Sequence, residues 1–366
     1  MRIAILANAD IGLYKFRKEL LERLCSEHEV YIILPGGEYI EELQKIGCYF
    51  TRFEFDRRGM NPIADLKQIA SYRTLLRDLS PDVVLTYTIK PNVYGGLACQ
   101  KLGIPYIANV TGLGTAIENG GLLSWISKTL YRRGLRKAAC VFFQNSANQK
   151  LFVEEGIVKG KTRLIPGSGV NLESHPLEPY PSEEDGFRFL FVGRLMKDKG
   201  VEELLYAIRK LHRKDSSVRL DIVGWSDEND PTALREAEKE GAVVHHGLQS
   251  DVHPFYKKCH CAVLPSYHEG TANVMLEASA TGRPVITTGV PGCRETFEEG
   301  VTGLGCEAKD KDSLFDAMEK MVSLSPETRR EMGIRGRKKM EEEYDRQIVI
   351  DAYLEELKHC SGREET

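Results

Sequence analysis

Residues Phe187–Gly200 read FRFLFVGRLMKDKG. The run 187–192 is apolar apart from Arg188, the pattern of a strand buried on both faces. It stops at Gly193, and Arg194 and Lys199 follow before Gly200. Residues Val201–His212 then take helical spacing. Strand, glycine turn and helix in that order form half of a βαβ unit, which implies a parallel sheet covered by helices. Gly193 lets the backbone turn where a side chain would obstruct a ligand. Arg194 can fork onto two phosphate oxygens, and Lys199 adds a mobile point charge. With a helix N-terminus beside them, these groups suit a diphosphate. Solvated loop cations are the competing reading of this stretch taken alone.

The same grammar extends in both directions. Upstream, Ile3–Leu6, Val30–Leu34, Tyr49–Phe55, Asp82–Tyr87 and Tyr106–Val110 read as strands. Phe16–Cys25, Tyr39–Ile46, Pro62–Leu79 and Val93–Leu102 read as helices between them. Residues Leu172–Gly186 carry three prolines and five acids without amphipathic period, and read as a linker. Beyond Val201–His212 come strands at Leu220–Val223, Val243–His245, Cys261–Leu264 and Pro284–Thr287. Helices are expected at Val274–Ala280, Ser313–Val322, Pro326–Glu343 and Ile348–His359. The expected fold is α/β: two tandem doubly wound Rossmann-like domains facing a central cleft, with ligands outside the carboxyl ends of the strands. The expected boundaries are 1–171, a linker at 172–186, and 187–345, with a C-terminal helix at 346–362 packing back on the first domain.

Composition narrows the classes. A chain of 366 residues that is 42% hydrophobic and 28% charged is ordinary globular material, not a disordered, collagenous or coiled-coil chain. No apolar run approaches the ~18 residues of a membrane span. Met1–Leu6 enters a strand directly, so no signal peptide is expected. Nine cysteines without a CxxC pair read as reduced thiols of a cytosolic protein. The net charge of −4 is uneven, with basic residues in excess over 1–170 and acids over 171–366. Chance variation between domains and an anionic partner for the first half both account for that asymmetry.

A second cluster, Leu264–Ala278, reads LPSYHEGTANVMLEA. A strand ends near Pro265, a loop carries Glu269 and Gly270, and a helix begins near Asn273. Glu277 follows Glu269 by eight residues. A carboxylate only accepts hydrogen bonds and can hold a diol, so the pair suits hydroxyl groups rather than phosphate. Backbone N–H groups over Gly270, Thr271, Ala272 and Asn273 are expected to meet the phosphates. A diphosphate between two polyols is a nucleotide sugar. Each glutamate alone is explained as a cap or a surface acid; the combination with Arg194 and Lys199 favours the ligand.

These residues resemble a known family. Gly193–Gly200, the Glu269/Glu277 pair and the turn Val290–Glu295 (VPGCRE) resemble family 4 retaining glycosyltransferases of the GT-B fold. Gly12 after the first strand and the segment Thr88–Gly95 (TIKPNVYG) also fit. The likeness is strongest to enzymes of capsule, O-antigen and lipid-linked bacterial glycan assembly. It implies that Arg194, Lys199 and Glu269 are catalytic: the cations hold the donor diphosphate and Glu269 contacts the transferred sugar. Gly12, Gly193, Gly270, Thr271, Ala272, Asn273 and Glu277 would bind donor, with Glu277 on the ribose. Lys90, Asn92, Thr111 and Gly112 would lie on the acceptor or sugar side. Many relatives carry a His-Gly pair where this chain has Thr111-Gly112, so a catalytic histidine there is not supported. The implied reaction moves a sugar, N-acetylhexosamine or galactose, from a UDP-sugar to a lipid-diphosphate-linked acceptor. Retention by front-face attack is implied by analogy. The implied place is the cytosolic face of the bacterial inner membrane.

No metal and no nucleic acid are expected. Asp310-Lys-Asp312 has the form of a metal-diphosphate motif but precedes a helix, so capping explains it better. Cys259-His260-Cys261 and His245-His246 border strands, where alternation splits neighbours between faces. The stretch 122–137 (LLSWISKTLYRRGLRK) is a basic amphipathic helix that can lie on an anionic bilayer. The other reading lays its apolar face on the first sheet. Other functions weighed are a soluble acceptor, an epimerase or hydrolase of the same fold, and a non-catalytic sensor. A dehydrogenase is disfavoured because no G-x-G-x-x-G follows the first strand.

Overall fold

The computed structural model describes residues 1–54, 62–113, 117, 120–225 and 232–360. The expected strand end at Phe55, the loop residue Gly114 and the expected helix end at 361–362 lie outside these. The chain forms two compact units, Met1–Ser168 with the helix from Gln347, and Gly169–Arg346.

In the first unit, β1 (Arg2–Leu6), β2 (Glu29–Leu34), β3 (Tyr49–Arg52), β4 (Val83–Tyr87), β5 (Tyr106–Val110), β6 (Cys140–Phe143) and β7 (Thr162–Leu164) form one sheet. Its order is β3-β2-β1-β4-β5-β6-β7, and every pair is parallel. Helices α1 (Asp10–Cys25), α2 (Ile40–Lys45), α3 (Pro62–Leu79), α4 (Gly96–Leu102), α5 (Gly121–Gly134) and α6 (Ser146–Glu154) connect them. Side-chain alternation divides the core in two. Ile3 and Ile5 face the layer containing α1, while Ala4 and Leu6 face the layer containing α3 and α4. Both faces are therefore buried, as an all-parallel sheet requires.

In place of one helix over Val93–Leu102, a π-helical turn, Pro91–Gly95, runs into α4. Glycines make that packing possible: a Cβ at Gly96 would lie 2.3 Å from the carbonyl oxygen of Gly134 on α5. That approach also fixes which face of α5 is buried. Ser124, Ser127, Tyr131 and Gly134 face inward, while Leu122, Leu123 and Trp125 are exposed. Small residues let the helix come close; Tyr131 and Leu130 pack on the core near its C-terminal end, while Leu122, Leu123 and Trp125 at its start turn to solvent. The helix thus covers the first unit's core with a mixed face of small and apolar residues.

In the second unit, β8 (Arg188–Val192), β9 (Arg219–Val223), β10 (Val243–His245), β11 (Cys261–Leu264), β12 (Val285–Thr288) and β13 (Gly303–Cys306) form an all-parallel sheet of order β10-β9-β8-β11-β12-β13. Helices α7 (Val201–Lys214), α8 (Thr232–Lys239), α9 (His253–Lys258), α10 (Asn273–Ala280), α11 (Lys311–Ser323) and α12 (Pro326–Glu343) complete it. The segment 172–186 has no regular structure and is strapped to this unit. Buried Arg283 donates to the carbonyls of Glu178 and Pro179, and Arg337 to that of His175.

The last helix, α13 (Arg346–Cys360), belongs to the first unit from Gln347 onward. Its Tyr353 ring meets Phe142 edge-on at 4.6 Å, and its hydroxyl accepts from Asn109 Nδ2 at 2.6 Å.

Candidate functional site

Each sheet reverses its strand order once, between β1 and β4 and between β8 and β11. A crevice opens at such a switch point because the neighbouring connections leave in opposite directions.

In the second unit, the chain leaves β8 through Gly193 and Arg194 and leaves β11 through Pro265 and Ser266. The two loops interlock. Gly200 has φ +69°, and a Cβ there would lie 2.2 Å from the Pro265 carbonyl oxygen. Gly292 has φ +84°, and its Cβ would lie 2.4 Å from the Glu269 carbonyl oxygen. No side chain fits at either position. The loops after β8, β11 and β12 are held as one surface.

On that surface Lys199 donates to Glu269 Oε1, which also accepts from Ser266 Oγ at 2.8 Å. Both members of the Lys199–Glu269 pair are largely shielded from solvent. Arg194 is exposed and forms no ion pair with the described residues. It is therefore available to an anion.

Glu277 sits on the second turn of α10. Tyr256 on α9, fully buried, donates its hydroxyl to Glu277 Oε2 at 2.8 Å. Burial, then the neighbouring Glu277 charge, push the phenol well above its ordinary range. Tyr256 therefore remains a donor and orients the carboxylate. Cys293, also buried near the Lys199–Glu269 pair, has its thiol pushed up to about 12 by burial and stays protonated.

One expectation needs correction. The Ala272 amide donates to the Gly292 carbonyl at 2.8 Å, and the Asn273 amide to the Thr271 carbonyl at 2.9 Å. The Ala272 and Asn273 N–H groups assigned to phosphate are thus committed within the unit. Gly193 turns the chain at φ +157°. A Cβ there would meet only the Phe191 ring, at 3.4 Å; the close approach belongs to Gly224, whose Cβ would lie 1.8 Å from the Gly193 carbonyl oxygen.

In the first unit, Gly12 lies in the first turn of α1, and a Cβ there would meet nothing within 4 Å. Lys90 follows β4 and pairs with Asp65 of α3 at 3.9 Å. Asn92 is fully buried; it accepts from Thr86 Oγ1 at 2.7 Å and donates to the Asn109 carbonyl at 2.8 Å. Its amide therefore fixes the segment after β4 instead of presenting itself to a substrate. Thr111 and Gly112 follow β5, half-buried, beside that segment. Sequence reasoning missed Thr88, which holds φ 71° directly at the end of β4. A β-branched residue in the left-handed region is a strained conformation of the kind kept at functional sites.

The motifs considered for metal have local explanations. Asp310 caps α11, accepting from the Asp312 and Ser313 amides. His246 pairs with Asp221, and His245 meets the Gly224 carbonyl. Buried His260 accepts the Arg188 amide at Nδ1, and its Nε2 faces the Ser182 carbonyl.

Two all-parallel Rossmann-like sheets with polar side chains at their switch points are the GT-B architecture of glycosyltransferases. Comparison with known proteins agrees. Residues 177–339 match the glycosyl transferases group 1 model, and residues 12–167 the glycosyl transferase 4-like domain. CapM, a capsular polysaccharide biosynthesis glycosyltransferase of Staphylococcus aureus, is 31% identical across 92% of both chains. The N,N'-diacetylbacillosaminyl-diphospho-undecaprenol alpha-1,3-N-acetylgalactosaminyltransferase of Campylobacter jejuni is 28% identical across 97% of both. Anabaena Alr3699/HepE, solved in complex with UDP and glucose, superposes with a TM-score of 0.80 at 17% identity, covering 98% of this chain and 100% of that one. The chain belongs to the family 4 glycosyltransferases of the GT-B fold.

Proposed function

We propose that this glycosyltransferase transfers an N-acetylhexosamine or galactose from a UDP-sugar to a lipid-diphosphate-linked glycan, with retention, during bacterial surface polysaccharide assembly at the cytosolic face of the inner membrane. The observation that carries it is the Lys199–Glu269 pair at the β8/β11 switch point, with exposed Arg194 beside β8. The likeness over 97% of both chains to the Campylobacter enzyme, named for a diphospho-undecaprenol acceptor, supports the acceptor class, and that to the Staphylococcus enzyme supports polysaccharide assembly.

The chemistry follows from where charge develops. As the anomeric C–O bond breaks, negative charge builds on the departing diphosphate, and Arg194 and Lys199 neutralise it there. No metal ion is assigned a part in this reading. Glu269, held by Ser266 and Lys199, accepts hydrogen bonds from sugar hydroxyls. Glu277, oriented by Tyr256, accepts those of the ribose. A departing phosphate oxygen takes the acceptor hydroxyl's proton as the new bond forms on the same face.

Helix α5 suits a lipid-linked acceptor. Exposed Leu122, Leu123 and Trp125 lie about two to three turns from exposed Arg132 and Arg133. Apolar and basic groups together favour an anionic bilayer surface. No helix among the described residues is long and apolar enough to cross a membrane.

The test is transfer from a panel of UDP-sugars to a synthetic polyprenyl-diphosphate-linked sugar, with the product's anomeric configuration read by NMR. An α-linked product from an α-linked donor is expected. A β-linked product would contradict retention, and transfer only to water-soluble acceptors would contradict the acceptor class.

A further inference from the structure

Nine cysteines are present, and all are free thiols. Seven are buried; Cys25 and Cys360 are half-buried. Cys25 is the last residue of α1, and Cys48 immediately precedes β3. Their sulfur atoms are 3.6 Å apart. The turn between α2 and β3 creates this approach. Gly47 holds φ +112°, and a Cβ there would lie 3.3 Å from Cys25 Cβ.

Cys25 also lines an open surface cavity of about 670 Å³, together with Arg2, His28, Glu29 and Asp82. Small solutes can reach it, while Cys48 is only 4% exposed. We propose that Cys25 and Cys48 form a reversible oxidation site, in which Cys25 reacts with a hydroperoxide or a low-mass disulfide and Cys48 resolves the product.

With hydrogen peroxide, the Cys25 thiolate attacks one oxygen and the O–O bond breaks, giving a sulfenic acid and hydroxide. The Cys48 thiol then displaces the hydroxyl group from sulfur. The Cys25–Cys48 bond forms and water leaves. Two thiols are oxidised by two electrons, and one peroxide is reduced to two waters. A low-mass disulfide follows the same course through a mixed disulfide and releases two thiols. Closing the bond brings the sulfurs together by roughly 1.5 Å.

Other features agree with this order of events. The hydrogen bond with Cys48 holds the Cys25 thiol below its ordinary range, while the same bond and burial push Cys48 up. The other half-buried thiol, Cys360, is pushed up to about 11 by burial. Thiolate character and access select between cysteines, so Cys25 is the reactive one.

The test uses the full chain, reduced, desalted and treated with hydrogen peroxide or oxidised glutathione. Free thiols are then counted in denaturant and linked peptides mapped by mass spectrometry. Nine thiols are expected to fall to seven, with a Cys25–Cys48 peptide that dithiothreitol reverses. In Cys48→Ser, oxidation should stop at Cys25, as a dimedone adduct after peroxide or a glutathione adduct after the disulfide. Retention of nine thiols, a different linkage, or first modification at Cys360 would overturn the proposal.

Discussion

Lys199 and Glu269, seventy residues apart in sequence, meet side chain to side chain where β8 and β11 end. The parallel pairing of Cys261 with Phe189 and of Ala262 with Leu190 sets the two strand ends side by side. Cation and carboxylate are thereby placed together before any donor arrives.

Removing the cation should damage the transition state more than donor binding. Lys199→Met is expected to lower kcat by about 10²–10³-fold, on the order of 3 kcal/mol. Steady-state UDP release checks this. Lys199→Arg should recover part of the rate, because charge returns in a different geometry.

Tyr256→Phe keeps the buried ring and removes only the donor to Glu277. The donor KM is expected to rise by about 5–10-fold, near 1 kcal/mol, with kcat changed little. An unchanged KM would remove Glu277 from the donor site.

Two glycines should behave in opposite ways. Gly292→Ala puts a methyl group 2.4 Å from the Glu269 carbonyl oxygen at positive φ, and is expected to cost about 2 kcal/mol or more. Gly12→Ala meets open space inside a helix and should leave stability equal or up to about 1 kcal/mol higher. Urea unfolding gives both numbers. Weaker UDP-sugar binding by the Gly12→Ala protein would then report on the ligand rather than the fold.

His260 gives the second unit a pH dependence. Its Nδ1 accepts the Arg188 amide and the ring is buried, so burial holds its pKa below the ordinary value near 6.5. Below that pH the unfolded chain takes up a proton that the folded one refuses. Stability therefore falls as pH drops through about 6.5 and continues to fall until the folded pKa is passed, by at most about 1.4 kcal/mol per pH unit. Urea unfolding at pH 7.5 and 5.5 should show a smaller difference for His260→Gln than for the wild type.

Much of this was legible before the structure. The apolar run ending at Gly193 marks β8, and restart of the strand–helix alternation after Gly186 marks a second sheet. Arg194, Lys199, Glu269 and Glu277 stand out as a set: each alone is explained as a solvated loop charge, a cap or a surface acid, and their combination is what points to a ligand. Contacts made by the crossover were not legible. Nothing local to Tyr256 says that it serves Glu277, and nothing near Ala272 says that its amide is already taken by Gly292. The short strand β13 carries Gly303 and Gly305, which no β-propensity argument selects. On α5 the Ser124, Ser127 and Gly134 stripe decides the buried face, and small residues give no hydropathy signal. Cys25 and Cys48 meet only because Gly47 turns the chain back.

The central claim is that the switch point of the second sheet holds the donor's diphosphate. UDP titration followed by thermal unfolding, comparing wild type with Arg194→Ala, tests it most directly. Arg194 is exposed, so both proteins should melt alike without ligand. With UDP at about one hundred times its Kd, the wild type should gain about 2.7 kcal/mol, seen as a higher melting temperature. Arg194→Ala should lose most of that gain at the same concentration. A full UDP shift in Arg194→Ala would contradict the account.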